Sequence, residues 1–400
     1  MNILYLTSAC SQTRFDSLVA KGKITKMPQA QKYHHLLLEG LRKNTQDSII
    51  VISSYPIVTS KGRFFNTEHE IENGIEYYYP AFISLPVLRQ FCLWVDSVRL
   101  IFSSLRKDTI IVCDVLNRSV CYAARFTRFF KRKLKIVGIV TDVPGFTSGA
   151  RRKMLPKWKQ MTKKFISSLT KNDVHAYDGY LLLTEAMNGI VNSKGKPYIV
   201  IEGHSDIGMR NRENKLENKY QTKTIMYAGG THKEFGIAML VEAFIAVNDP
   251  EWELHIYGDG NYQETLKKIS MEHSNVQYFG MHPNAEIVDA QLKAWLLVNP
   301  RITNAEYVKY SFPSKTLECM VSGTPLLTTR LAGMPKDYYP YVYLIEDETQ
   351  KGFEAALRMV FEESREKLHQ RGAEAKDFAL NKKNNVKQAE LFYHFLESLR

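Results

Sequence analysis

The residues best placed to do chemistry lie between Asn299 and Pro325, where Asn299-Pro300-Arg301 is followed by Ser311-Phe312-Pro313-Ser314-Lys315 and then Glu318. The spacing predicts a helix that begins near Ser311 to Pro313, because serine caps well and proline is tolerated in a first turn. It should end at Gly323, with Pro325 just beyond. Lys315 then falls in the first turn, and Glu318 lies one turn later on the same face. A lysine at a helix N-terminus suits a phosphate. A carboxylate one turn on can accept two hydrogen bonds from a ribose diol. One short helix could therefore hold both ends of a ribose-phosphate unit. The plain alternative is a capped surface helix with an ordinary Lys315–Glu318 ion pair.

A second segment is Tyr227-Ala228-Gly229-Gly230-Thr231-His232-Lys233, with a helix expected over 235–247. Paired glycines between a strand and a helix let backbone approach a phosphate closely, although a tight turn would explain them equally well. Tyr257-Gly258-Asp259-Gly260 and Gly280-Met281-His282 have the look of loops after two further strands. Asp142 closes the apolar run Val137–Val140 and is the polar candidate of the first half. A turn-forming aspartate before Pro144 is its ordinary explanation. The loop Thr7–Ser11 follows the first strand and should face the cleft between the two halves.

These loops need strands behind them, and the sequence supplies them. Apolar, β-branched runs recur at Asn2–Thr7, Ser48–Ser53, Thr109–Cys113, Leu134–Val140, Gly179–Thr184 and Tyr198–Glu202. They continue at Thr224–Ala228, Glu253–Tyr257, Val276–Phe279, Ala294–Asn299, Pro325–Thr328 and Tyr341–Ile345. Continuous apolar runs with helix-length spacers predict parallel sheets buried on both faces and built from right-handed βαβ units. At 400 residues, two domains are expected. The polar stretch from Gly203 to Lys223 is the natural linker. The expectation is an α/β protein with two Rossmann-like domains, 1–205 and 206–380, facing across a cleft that holds the active site. A C-terminal helix in 381–400 would pack back on the first domain.

Charge is concentrated. The 47 residues from Arg125 to Lys171 hold 14 Lys or Arg and one acid, a net +13 against +12 for the whole chain. From Met154 apolar residues recur at helical spacing with lysines between them, as in a basic amphipathic helix lying on a membrane. Arg151, Arg152, Lys153, Lys157, Trp158, Lys163 and Lys164 form the expected membrane or acceptor patch. Packing of that helix on its own sheet is the competing explanation. No nucleic-acid reader module is recognisable, so nucleic acid is not expected as a partner. The five cysteines form no C-x-x-C pair and read as reduced thiols. No metal-ligand spacing is visible, no apolar run reaches 18 residues, and the N-terminus reads as a strand rather than a signal peptide.

The motifs at 299–301, 311–315 and 318–325 resemble those of the retaining glycosyltransferases of family 4, which have the GT-B fold. The resemblance runs over essentially the whole chain and is strongest to the bacterial subgroup that assembles capsule, exopolysaccharide or O-antigen. It implies a hexosyltransferase-type enzyme that moves a sugar from a nucleotide diphosphate sugar, UDP rather than GDP, to a lipid-linked saccharide with retention. It implies no metal or other cofactor and a peripheral position at the cytoplasmic face of the membrane. Residue by residue, it makes Asp142, Lys315 and Glu318 catalytic. Gly229, Gly230, Lys233, Gly280, Met281, Arg301, Tyr310 and Ser311 then bind the donor along with Lys315 and Glu318. Glu318 matches the second of the family's two glutamates, the one that holds the ribose. Tyr310 stands where the first is expected, and either it or Glu306 would have to replace that carboxylate. The family's Lys-Gly pair is Phe235-Gly236 here. A nucleotide-sugar epimerase of the same fold, or a non-catalytic basic membrane-binding protein, remains as the alternative.

Overall fold

The computed structural model describes residues 1–23, 28–54, 57, 62–143, 173–304 and 306–400. The chain forms two compact units, Met1–His204 with Asn385–Arg400, and Ser205–Asn384. The basic residues expected at 151–164 lie outside the described residues.

Unit 1 contains β1 (Asn2–Thr7), β2 (Ser48–Ser53), β3 (Phe64–Phe65), β4 (Glu68–Glu72), β5 (Ile75–Tyr79), β6 (Phe82–Ile83), β7 (Thr109–Asp114), β8 (Lys135–Val140), β9 (Gly179–Leu182) and β10 (Tyr198–Val200). Eight of these make one sheet in the order β10-β9-β8-β7-β1-β2-β5-β4, parallel except for β4. Every residue of β1 is buried, as a run without polar alternation requires at the centre of a parallel sheet. The β4–β5 hairpin turns on Asn73 and Gly74, both at positive φ, which is the geometry of a two-residue turn. The C-terminal helix Asn385–Ser398 packs on the helix Pro28–Asn44. Asn385 Nδ2 donates to the Leu36 carbonyl at 3.2 Å, and Tyr393 donates to Asp47 at 2.8 Å.

Unit 2 contains β11 (Lys223–Ala228), β12 (Trp252–Tyr257), β13 (Val276–Gly280), β14 (Leu296–Asn299), β15 (Leu326–Thr329) and β16 (Tyr343–Ile345). Their order is β13-β12-β11-β14-β15-β16, all parallel. The helix Ile237–Val247 is apolar almost all round and correspondingly buried, with Phe244 and Leu240 in the core. Trp252 stacks on Phe361 with ring centroids 4.1 Å apart.

All twelve expected strands are present to within two residues at each end. The stretch 203–223 departs from a plain linker. It forms turns at Ile207–Asn211 and Leu216–Asn218 that belong to unit 2. Asn214 donates to Ser322 O and Thr324 Oγ1. The Lys219 ammonium donates to the carbonyls of Leu292 and Ala294 at 3.0 and 2.8 Å. Asn214 and Lys219 thus tie the stretch to unit 2, while Arg212, Glu213, Lys215 and Glu217 remain exposed.

Candidate active site

In a doubly wound sheet, ligands sit beyond the carboxyl ends of the strands, where the chain reverses its direction of winding. In unit 2 that point lies between β11 and β14, which are neighbours in the sheet. The loops that leave them are Gly229-Gly230-Thr231 and Pro300-Arg301. The loop after β12 braces the first of these. Gly229 N donates to Tyr257 O at 2.9 Å, and Thr231 N donates to Asp259 O at 3.0 Å. Gly258 has φ +126°, and a Cβ there would lie 1.7 Å from the Gly229 carbonyl oxygen. Only glycine permits this approach.

Lys315 is carried into the same place by the helix Ser314–Met320. This helix begins one residue beyond the expected Ser311–Pro313 range, and no side chain caps it. Pro313 takes the capping position, and its carbonyl accepts from Thr316 N at 2.8 Å. Proline has no side-chain acceptor, so the first-turn N–H groups have no side-chain cap. The Lys315 ammonium reaches over the Tyr227 ring, 5.1 Å from its centroid. It lies so near Gly229 that a Cβ on that residue would be 1.6 Å away. The expected ion pair with Glu318 is not formed, and the ammonium has no hydrogen bond or ion pair among the described residues.

Burial pulls the Lys315 ammonium below the usual lysine range. Cys319 and Glu318 oppose that effect, and the neighbouring Arg301 adds to it. The side chain as a whole is half-buried, whereas its charged end is closely surrounded. Two cations thus converge with no carboxylate closed upon Lys315. On the two elements that carry these cations, Asn299 Nδ2 at the end of β14 and Thr316 Oγ1 in the first turn of the helix are buried without hydrogen-bond partners. Buried polar groups are normally satisfied, so their idleness is consistent with a ligand at this end of the sheet. An anion with several acceptor oxygens would answer both the charges and the idle donors.

The other expected residues lie on further elements of unit 2, except Asp142, which belongs to unit 1. Tyr310 closes the turn Glu306–Tyr310, Ser311 follows it, and both are half-buried, as is Glu318. Lys233 is exposed on the turn Lys233–Phe235. Its backbone N–H donates to Asn261 Oδ1 at 2.9 Å, and its ammonium makes no contact among the described residues. Gly280 and Met281 line a shallow depression with Gly258, Asp259 and Phe279, at the ends of β12 and β13. Phe279 is stacked on Tyr257 at 4.7 Å. Asp142 follows β8 in unit 1 and is half-buried.

Unit 1 has its own reversal point, between β1 and β7, and a buried cluster there has no counterpart among the sequence-derived candidates. Tyr5 Oη and His34 Nδ1 are hydrogen-bonded at 2.7 Å, and His34 Nε2 lies 3.4 Å from Asp114 Oδ2. His204 packs on Tyr33 at 4.5 Å, with both ring nitrogens unpartnered and its pKa lowered by burial to about 3. Tyr33-His34-His35 within a helix, and an aspartate ending a strand, were the available signals. The nearby N-terminus of the helix Gln12–Ala20, beyond the loop Thr7–Ser11, is already filled. The Glu72 carboxylate accepts from the backbone N–H groups of Gln12 and Thr13 at 2.8 and 2.9 Å. Among the described residues no group of His, Cys, Asp and Glu could hold a metal ion, and the five cysteines are free.

Residues 222–363 match the family model described as Glycosyl transferases group 1. No curated protein matches the chain. The fold recurs in HepE from Anabaena, solved in complex with UDP, at 14% identity over 100% of both chains and a TM-score of 0.62. It recurs in sucrose-phosphate synthase from Thermosynechococcus elongatus, at 12% identity over 100% of this chain and 99% of that one, with a TM-score of 0.68. It recurs again in the catalytic domain of starch synthase IV from Arabidopsis thaliana, bound to ADP and acarbose, at 11% identity over 100% and 99% and a TM-score of 0.67. The pair of doubly wound units is therefore the GT-B fold. Unit 2 carries a glycosyltransferase group 1 domain, and the chain as a whole has the GT-B fold.

Proposed function

We propose that this chain is a glycosyltransferase that moves a hexosyl unit from a UDP-sugar to a lipid-linked saccharide, with retention, in the assembly of a cell-surface polysaccharide. The observation that carries the donor half is the Lys315 ammonium, closely surrounded between Tyr227 and Gly229 with no carboxylate in ion-pair contact among the described residues. A buried cation without a counter-charge is costly, and a diphosphate would supply one. Lys315 and Arg301, with Lys233 from the neighbouring turn, would then stabilise negative charge as the diphosphate leaves. Glu318 would accept from the ribose hydroxyls, and Tyr310 or Ser311 would hydrogen-bond the donor sugar. The backbone of Gly229 and Gly230 would lie against the phosphates, and Gly280 and Met281 beside the base. UDP is favoured over GDP.

Asp142 is assigned to the acceptor. No side chain stands out as a covalent nucleophile, so same-face transfer assisted by the leaving group is the route proposed. No cofactor enters this chemistry, since the nucleotide sugar is consumed as a substrate. A lipid-linked acceptor and a peripheral position at the cytoplasmic membrane face are supported by the +13 concentrated in residues 125–171. Among the described residues no helix is long and apolar enough to cross a membrane.

Thermal unfolding of the full chain with UDP, GDP and ADP in turn tests the donor. A ligand at 100 times its dissociation constant stabilises by about 2.7 kcal/mol. A shift with UDP alone is expected. No shift with any of the three would overturn the donor assignment.

A further inference from the structure

Unit 1 carries a strip of aromatic side chains on two packed helices, Pro86–Ser104 and Arg118–Phe130. Phe91 neighbours Trp94 at 6.2 Å, Trp94 meets Phe126 at 5.2 Å, and Phe126 meets Phe130 at 5.2 Å. Phe130 continues to Phe129 and Phe102 at 5.3 and 6.3 Å. These rings are not core. Phe129 is 73% exposed, Phe91 60% and Phe130 58%, and Leu88 and Val95 on the first helix are exposed with them. Soluble proteins seldom leave so continuous an apolar strip uncovered without a partner for it.

The charges around the strip say which partner. Arg106 and Lys107 follow the first helix, and Lys131, Arg132, Lys133 and Lys135 follow the second. All six are exposed, and none makes an ion pair among the described residues. The acids close by are already engaged: Asp96 with Arg99 at 2.7 Å, Asp108 with Arg400 at 3.2 Å, Asp173 with Arg125 at 2.6 Å and Asp178 with Arg128 at 2.9 Å. The end of the strip thus carries a net positive charge. A second copy seated on the strip would bring two such cationic ends near each other across its two-fold axis. An anionic bilayer answers both features, with rings at headgroup level and lysines and arginines against the lipid charge.

We propose that this strip docks unit 1 on an anionic membrane surface, through Phe91, Phe126, Phe129 and Phe130 with the cations at 106–107 and 131–135. The docking residues are distinct from the 151–164 patch expected from the sequence. The proposal gives a membrane contact to the lipid-linked acceptor and rests on that reading for its purpose, while its test does not depend on nucleotide.

The full chain is sedimented with phosphatidylcholine vesicles, with and without phosphatidylglycerol. Binding is expected only with phosphatidylglycerol and should weaken as salt rises. F91S/F129S replaces two rings that are mostly in solvent, so its melting temperature should hold while vesicle binding falls more than tenfold. Each cation near such a surface is worth about fivefold in partitioning, so K131A/R132A/K133A should also lose more than tenfold. UDP binding measured on the same variants should be unchanged, so failure of the donor assignment and failure of the docking surface give different results. Vesicle binding retained by both variants would overturn the proposal. So would a native chain that ignores anionic vesicles, or one whose self-association is abolished by F91S/F129S.

Discussion

Replacing Gly229 by alanine should weaken UDP binding while leaving the fold nearly untouched. The added methyl would sit 1.6 Å from Lys315 Nζ and 2.9 Å from its Cε. To reach ordinary van der Waals separation the ammonium must retreat by about 2 Å. Its neighbour there is the far end of a flexible side chain, so the clash is relieved by bending a lysine, at about 0.5–1.5 kcal/mol. Gly229 is outside the left-handed region, and losing a glycine from the unfolded chain returns about 0.4–1 kcal/mol. The melting temperature should therefore stay within a few degrees of native. The contact to phosphate does not survive such a displacement, because charge-assisted hydrogen bonds need about 2.7–2.9 Å. Losing one is worth about 1.5–3 kcal/mol, or roughly 10- to 150-fold in dissociation constant. Titration calorimetry with UDP and thermal unfolding of the same variant read the two effects separately. Native affinity in Gly229→Ala would refute the placement of Lys315 at the diphosphate, and a large fall in melting temperature would refute the claim that only a side chain is displaced.

Gly258→Ala should behave in the opposite way, because its Cβ meets the Gly229 carbonyl rather than a side chain, and its φ of +126° is strained for alanine. A loss of about 2–4 kcal/mol is expected by chemical unfolding, and a variant as stable as native would count against the loop packing. Trp252→Ala should cost about 3–5 kcal/mol, since a fully buried ring stacked on Phe361 is removed. Trp252→Phe should cost less than about 1.5 kcal/mol, because it keeps an aromatic ring and discards a buried indole N–H that has no partner. Equal losses in the two would contradict the stack. His204, held by burial at about 3, lies below the ordinary histidine value of about 6.5. Between those values the unfolded chain binds a proton that the folded chain does not, so stability is lost as pH falls from about 6.5 toward 3. His204→Phe should flatten that slope, and an unchanged acid profile would show that His204 is not the titrating group.

The strands were legible because residues such as Ile49–Ile52 and Leu4–Leu6 are continuous apolar runs, which the centre of a parallel sheet demands and little else does. The hairpin of β4 and β5 is not legible as strand, because Glu68–Glu72 alternates charge at a sheet edge, although Asn73-Gly74 signals the turn. The 203–223 stretch looked like a linker because a sequence does not say whether a polar side chain meets water or a carbonyl, as Lys219 does. The helix that carries Lys315 starts within one residue of the expected Ser311–Pro313 range, and only the serine cap is absent, because the backbone uses Pro313. The pairing of Tyr5, His34 and Asp114 depends on residues far apart in sequence, and composition cannot show it. Likewise, nothing in the spacing of Lys315 and Glu318 tells that the two stay apart. That separation, which leaves Lys315 without a counter-ion, is the feature on which the donor site rests.

The most direct test of that site compares UDP with uridine on the native chain and on Lys315→Met, by titration calorimetry. Methionine keeps most of the lysine stem's bulk and removes its charge. UDP should bind the variant at least tenfold more weakly, while uridine, which has no phosphate, should bind both proteins equally. A variant that binds UDP as tightly as the native chain, or that loses UDP and uridine in the same proportion, would contradict the assignment of Lys315 to the diphosphate.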